Sequence, residues 1–428
     1  VAPRAEAGVI RRLVARGYKS LRGADVALPA PLAVVMGPNA SGKTNFFDAL
    51  ALLARLGVQP SLEQAFGAHR GRVVEAFAFG PGGVAEALTR DSLAFQLVAD
   101  VELSDAVVRE TEEEIDRQRS GFAEAKPERA PRVVERLLRY ALTVEYRPRE
   151  RRLAVSDESL VALGRGGELK ESRAPFLSRV GEQAFGLRLE GQPARPAAFD
   201  AGEPGTVLSR PVYAPHYPHV EALRRELAGW RFYQLETSRL RADNDLEAAR
   251  SPGRSGQRLA AFFDTLEARH PERLRAAADA LRRLLPSISG LSVDRTGDGF
   301  LRLVVHDEGA PVPARLLSEG TLRLLGLVAA LHAADGPTVV ALEEPEASVH
   351  PRRIGELARL LEGSARAGGF QVLVNTHSPL LASSVPEGAL VVCRRGSDGT
   401  TMRPFAGAGP LFKPVEIERA LSPLDDHE

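Results

Sequence analysis

The 428-residue chain has one cysteine, Cys393. A lone thiol excludes an intrachain disulfide framework and a multi-cysteine zinc site, and it fits a reducing compartment, so a cytoplasmic location is expected. No apolar run approaches the ~18–20 residues needed to cross a bilayer. Residues 1–20 carry five basic side chains but lack the apolar segment of a secretory signal. No repeat with a period of ~20–50 residues occurs and no long heptad array, which excludes a solenoid and a rod-forming coiled coil. Lysine is scarce, 5 residues against 51 arginines, and these are balanced by 56 acidic residues to a net charge of zero. That balance argues against a histone-like or tail-type nucleic-acid binder and leaves only a local basic patch open.

Apolar residues make up 44% of the chain, enough for a sizeable core in two or three folding units or in one large domain with insertions. Residues 9–36 read as strands, with the apolar run 32–36 suited to a fully buried one. A helix is expected over 44–56, where Phe47, Leu50 and Leu53 recur at helical spacing before Gly57. Between 70 and 220, strand-like runs such as 93–98 and 140–146 sit among Arg/Glu-rich pieces and Gly/Pro loops. Residues 220–285 read as mostly helical, with a loop at Ser251-Pro252-Gly253, and strands return over 286–310. After 315 the alternation is regular: helix 321–334, strand 338–343, helix 351–362, strand 370–374. Strands alternating with helices imply a mostly parallel sheet.

Four clusters carry chemistry. Gly37-Pro38-Asn39-Ala40-Ser41-Gly42-Lys43-Thr44 matches G-x-x-x-x-G-K-[ST] between a strand and a helix. Its glycines let backbone N–H groups wrap a phosphate, Lys43 supplies a cation, and the Thr44 hydroxyl suits Mg²⁺. The strand 338–342 ends in Glu343-Glu344, an acid pair fit to hold a metal through water and to activate a water molecule. Glu343 stands where Asp is usual. Ser318-Glu319-Gly320 opens a helix, either as a second phosphate surface or as an ordinary serine N-cap. Asn375-Thr376-His377-Ser378-Pro379 ends an apolar strand, where a histidine could sense a γ-phosphate.

In this order the four clusters resemble ABC-type ATPase heads of the SMC/RecF/OLD-like branch. Gly17-Tyr18-Lys19-Ser20-Leu21, Glu344-Pro345-Glu346 and His350-Pro351 strengthen the likeness, which covers roughly 9–56 and 314–392. The resemblance implies an α/β P-loop NTPase: a mostly parallel ABC-ATPase-like sheet flanked by helices, with an antiparallel β part and a helical insertion. The expected division is an ATPase core of 1–60 and 311–428, a β-rich insertion over 61–220 and a helical insertion over 221–310. It implies ATP and Mg²⁺ as cofactors. Gly37, Asn39, Ala40, Ser41, Gly42, Lys43, Thr44 and Asn45 would bind nucleotide, with Thr44 and Glu343 at the metal. Glu344 would activate water and His377 would act as the switch. Ser318 and Gly320 would meet the ATP of a second copy, giving a homodimer closed by nucleotide. Gln234, rather than Gln96, is the expected Q-loop glutamine. Only 51 residues follow His377, fewer than the ~100 of a nuclease domain such as Toprim, so a head-only ATPase is expected.

Three functions compete on these residues. One is an ATP-gated dimer switch acting with DNA in repair or anti-phage defence. Another is a nucleotide-gated regulatory module for a separate toxin or nuclease, without DNA. The third is the ATPase subunit of a transporter, disfavoured by Glu319-Gly320 and by the long insertion. Residues 126–152 hold nine Lys/Arg against four acids and 223–284 hold thirteen Arg against nine acids; either could face phosphates or form a solvated mixed-charge face.

Overall fold

The computed structural model of the protein describes residues 9–120, 131–191, 194–333, 336–407 and 413–422. The chain forms two compact units. The first takes in the chain up to Leu28, Ala40–Trp230 and Cys393–Pro404; the second takes in Pro29–Asn39, Arg231–Val392 and the chain from Phe405 onward. In chain order the strands are β1 (Ile10–Tyr18), β2 (Leu21–Ala27), β3 (Leu32–Met36), β4 (Leu93–Glu102), β5 (Leu137–Arg147), β6 (Arg152–Ala162), β7 (Leu177–Val180), β8 (Ala184–Leu187) and β9 (Ala197–Asp200). They continue with β10 (Trp230–Tyr233), β11 (Asn244–Asp245), β12 (Ile288–Arg295), β13 (Phe300–Asp307), β14 (Ala310–Pro313), β15 (Val339–Glu343), β16 (Gln371–Thr376), β17 (Leu390–Gly396) and β18 (Gly399–Pro404).

The first unit is built on an eight-stranded sheet in the order β2-β1-β4-β5-β6-β7-β8-β9. Every pairing in it is antiparallel. The pattern follows from the residues: in β5, Leu138, Tyr140, Leu142 and Val144 are buried and alternate with partly exposed neighbours, the period of a sheet with one packed face. Tyr18, Phe77 and Phe95 pack together at ring separations of 5.3 and 5.1 Å. The helix Lys43–Leu56 is buried along almost its whole length, each leucine contributing about 1.5–3 kcal/mol relative to exposure.

The second unit holds a parallel sheet. β15 pairs β16, β16 pairs β3 and β3 pairs the start of β17, all parallel, and β10 flanks β15. β3 and β16 are buried at every residue, as a parallel sheet covered on both faces requires. The helix Ile354–Ala367 covers it with Ile354, Leu357, Ala358, Leu361 and Ala365 on one stripe. β11, β13, β12 and β14 form a separate small antiparallel sheet.

Two expectations need correction. The parallel sheet is present, but the largest sheet is antiparallel, so "mostly parallel" does not describe the chain. Several of its neighbours follow one another through short turns, such as the ones joining Tyr18 to Leu21, Arg147 to Arg152 and Val180 to Ala184, which only antiparallel neighbours can use. Residues 220–285 are also less helical than expected. Helices occupy Pro218–Ala228, Leu259–Arg269 and Pro271–Leu284. Between them lie β10, the short helix Thr237–Leu240 and β11. The Arg/Glu/Ala composition there mimics a helix, while Pro252 and the left-handed Gly253 and Gly256 (φ 80° and 87°) break one. The regular C-terminal alternation is observed as Glu319–Leu331, Val339–Glu343, Ile354–Ala367 after a short 3₁₀ turn, and Gln371–Thr376.

Candidate functional site

Three strands of the second unit end at one edge. Parallel register sets Thr376 beside Met36 and Glu343 beside Asn375. The phosphate-loop entry at Gly37, the acid pair and the Asn375-Thr376-His377 turn therefore all leave the carboxyl edge of the sheet, where open α/β sheets bind ligands. Glu344 is left-handed, φ 44°, an uncommon conformation for this residue type. Its N–H donates to the Asn375 side-chain oxygen at 2.9 Å and lies 3.2 Å from the Asn375 carbonyl. The Asn375 side chain is 1% exposed, so this contact is built in. The turn brings Glu344 Oε1 to 3.2 Å from His377 Nδ1, with both side chains nearly half exposed.

Behind this pair sits Glu346, which is buried. Thr376 Oγ1 donates to Glu346 Oε1, and Ser378 N–H donates to Thr376 Oγ1 at 2.9 Å. Glu346 Oε2 is buried without a hydrogen-bond partner. Burial pushes this carboxyl above the usual range, against the Thr376 hydrogen bond. In the sequence Glu346 stands only as part of the Glu344-Pro345-Glu346 motif, and its burial has no signature there.

The phosphate loop itself has Ala40 at φ 61° and Gly42 at φ 110°. Left-handed residues in such a turn can direct neighbouring backbone N–H groups to one side, which favours an anion. A Cβ on Gly42 would collide with Thr400 Oγ1, so glycine is required there. Lys43 is the first helical residue and is 5% exposed. The Ser41 hydroxyl is buried and has no hydrogen-bond partner. An orphaned hydroxyl and a buried ammonium beside such a loop fit a bound phosphate. Gly37 is buried, Thr44 and Asn45 are half-buried, and Asn39 and Ala40 are exposed. Asn45 Nδ2 donates to Ser20 Oγ at 2.8 Å. The neighbouring Lys19 pairs with Asp48 at 2.9 Å, so the Gly17-Tyr18-Lys19-Ser20 motif supports the helix that follows the loop.

Among the described residues no group of three His, Cys, Asp or Glu could hold a metal ion. Mg²⁺ needs no such cluster, because it binds through one or two protein oxygens together with phosphates and water.

The third cluster is a working N-cap. Ser318 Oγ accepts from Thr321 N–H at 3.2 Å and lies 2.9 Å from Thr321 Oγ1. Gly320 packs against the Ser348 carbonyl, which a Cβ would strike. Glu319 accepts from Thr237 Oγ1 at 3.0 Å, and that hydrogen bond, helped by Arg323 and opposed by burial, lowers its carboxyl. Gln234 is exposed and directly follows β10. Gln96 accepts from Arg16 on the antiparallel sheet at 2.8 Å.

Of the basic stretch 126–152, residues 126–130 lie outside the described residues. The rest is largely neutralised: Arg132 pairs with Asp116, Arg136 with Asp105, Arg139 with Asp100, Arg147 with Glu145 and Arg149 with Asp91.

Sequence comparison adds a family model described as "AAA domain, putative AbiEii toxin, Type IV TA system", which matches residues 32–131 and 200–383. This is more than half of the chain. The protein belongs to this AAA-domain family. No curated protein sequence matches the chain. Among solved structures it is similar to an Smc head bound to the C-winged helix domain of ScpA: 11% identity, TM-score 0.54, covering 93% of this chain and 98% of that one. It is also similar to an Smc head domain with a coiled coil and joint from Pyrococcus yayanosii: 10% identity, TM-score 0.52, covering 97% and 100%. Its fold is similar to that of these Smc head domains. No helix among the described residues is long and apolar enough to cross a membrane.

Proposed function

We propose that the protein binds ATP with Mg²⁺, hydrolyses it, and uses the cycle to close and open a dimer of two copies. The observation that carries this reading is the common edge of β3, β15 and β16, from which Gly37, Glu343-Glu344 and His377 emerge in register. ATP supplies the γ-phosphoryl group that passes to water. Lys43, with the N–H groups of the loop from Gly37 to Lys43, holds the phosphates. Thr44 and Glu343 would hold the metal, which would offset the negative charge on the phosphates. The left-handed turn at Glu344, pinned by Asn375, aims its carboxylate as the general base, and His377 orients that carboxylate. Ser318 and Gly320 present a helix start to the nucleotide of the second copy. In this reading residues 1–60 and 311–428 make up the ATPase core, 61–220 and 221–310 are insertions, and Gln234 is the Q-loop glutamine.

The test is a Lys43→Ala variant assayed with Mg²⁺-ATP. Turnover should fall to background and nucleotide affinity should drop, with an unchanged melting temperature. Normal turnover by the folded variant would refute the reading.

The downstream role divides into DNA transactions in repair or phage defence, and DNA-independent control of a partner toxin or nuclease. The second is favoured by the pairing of the arginines of 132–149 with acids and by the toxin–antitoxin description of the family. One of the similar Smc heads is bound to a domain of another protein, and a separate protein partner is proposed here too. Duplex DNA binding that weakens steeply with salt would return weight to the first.

A further inference from the structure

Four residues of the first unit, distant in sequence, form one hydrogen-bonded chain that ends on the phosphate loop. Asn45 Nδ2 donates to Ser20 Oγ at 2.8 Å. Ser20 Oγ lies 2.8 Å from Thr400 Oγ1. Thr400 Oγ1 lies 2.8 Å from the Ser41 carbonyl oxygen. A hydroxyl has one proton to give. The Ser41 carbonyl can only accept, so Thr400 donates to it. Ser20 then donates to Thr400, and its oxygen accepts from Asn45. Each proton has one destination and the chain runs in a single direction.

The chain is also walled in. Thr400 is 3% exposed, Ser20 7% and Ser41 1%, so water does not substitute for a missing link. Thr400 N–H donates to the Ser20 carbonyl at 2.8 Å, which clamps β18 to the turn before β2. Cys393 Sγ adds a second, weaker contact to the Ser41 carbonyl at 3.5 Å. Gly42 leaves no room for a side chain between Thr400 and Ser20.

We infer that Thr400 is a positioning residue for nucleotide binding. It holds the Ser41 carbonyl on the buried side of the loop. In a trans peptide the C=O and the following N–H point in opposite directions, so fixing the Ser41 oxygen turns the Gly42 N–H the other way, toward the space where an anion is cradled. Without the tether, the Ser41–Gly42 peptide can rotate and present its oxygen to a phosphate, replacing an attractive donor with a repulsive acceptor. Gly42, the residue with the widest backbone freedom, makes that rotation easy, and the tether offsets this freedom. The inference rests on the nucleotide-binding reading and adds to it a residue more than 350 positions away in the chain.

The experiment uses the full chain with three substitutions: Thr400→Val, which keeps shape and removes the hydroxyl; Thr400→Ser, which keeps the hydroxyl; and Ser20→Ala, which removes the middle link. Hydrogen exchange is followed by mass spectrometry without nucleotide, and affinity for a fluorescent ATP analogue with Mg²⁺ is titrated. Thr400→Val should speed exchange in peptides spanning the phosphate loop and leave the β5–β6 peptides unchanged. It should weaken nucleotide affinity about tenfold, the scale of one lost hydrogen bond with an orphaned partner. Thr400→Ser should restore both, and Ser20→Ala should fall between. Two results overturn the inference: unchanged loop exchange and affinity in Thr400→Val, or an equal loss in Thr400→Ser. If wild type binds no nucleotide while the exchange pattern appears as described, the tether stands as a structural device and the functional reading fails, and with it the positioning role.

Discussion

Glu344 Oε1 and His377 Nδ1 lie 3.2 Å apart, and the backbone that sets this distance is held by a third residue. Asn375 accepts from the Glu344 N–H with its side chain while standing two positions before His377. A single buried amide thus fixes the residue proposed as base and carries the residue proposed to orient it.

The pair should act as one unit. Glu344→Gln should retain ATP binding, lower turnover about 10²–10⁴-fold and remain in the closed dimer. His377→Ala should lower turnover by a smaller factor. Because the two side chains touch, the double variant should be no worse than Glu344→Gln alone, a coupling that distant independent residues do not show. Steady-state phosphate release on the four proteins checks this, and additive losses would separate the two roles.

A second prediction concerns acid stability. Burial, reinforced by the Lys19 charge, lowers the His69 pKa from 6.5 to about 4, and its Nε2 lies 3.0 Å from the Tyr18 hydroxyl. Folding favours the neutral ring. The folded state therefore binds fewer protons than the unfolded chain between these two values, and the stability contribution is complete above pH ~6.5 and lost as pH falls toward ~4. Full linkage would be worth about 3 kcal/mol, and partial solvent contact reduces this to roughly 1–2 kcal/mol. Urea unfolding of wild type and His69→Gln between pH 4 and 7.5 should show the wild-type advantage shrinking over that window. A difference that does not change with pH would contradict it.

The parts of the molecule that were legible in the sequence are those where one residue type has one physical use. β3, β15 and β16 are apolar runs bounded by proline, glycine or a polar turn, and such runs fit only a sheet covered on both faces. The Gly37–Thr44 spacing carries its own backbone geometry. The Asn375–Glu344 link was not legible, because it depends on a left-handed glutamate whose conformation comes from a tertiary partner. Thr400 was invisible for the same reason: its strand contributes one hydroxyl to a loop that the sequence places at the other end of the chain. The helical expectation fails over 229–250, outside the short helix Thr237–Leu240, because β10 and β11 are four and two residues long. That is too short for alternation to outweigh an Arg/Glu/Ala composition.

The last prediction separates two uses of Ser318. Its hydroxyl caps the helix Glu319–Leu331, which is reason enough for a serine there. The dimer reading adds that the same hydroxyl faces the nucleotide of a second copy. Ser318→Asp distinguishes them, because aspartate caps as well as serine while adding a negative charge at a helix start proposed to meet phosphate. Unfolding free energy should change by less than ~0.5 kcal/mol. Hydrolysis should fall to background if phosphate repulsion prevents closure, and stay normal if capping is the whole role. Mixing then tests whether the contact is made between copies. Lys43→Ala and Ser318→Asp chains are each expected to be inactive alone. A mixed dimer keeps one intact site, with Lys43 from the Ser318→Asp chain and Ser318 from the Lys43→Ala chain. Half of the dimers in an equal mixture are mixed, and each has one of two sites intact. About a quarter of wild-type turnover should therefore return, given two equivalent sites in a two-fold dimer that fire independently. No recovery, with mixed dimers demonstrated by tagged copurification, would place Ser318 and Lys43 outside a shared site.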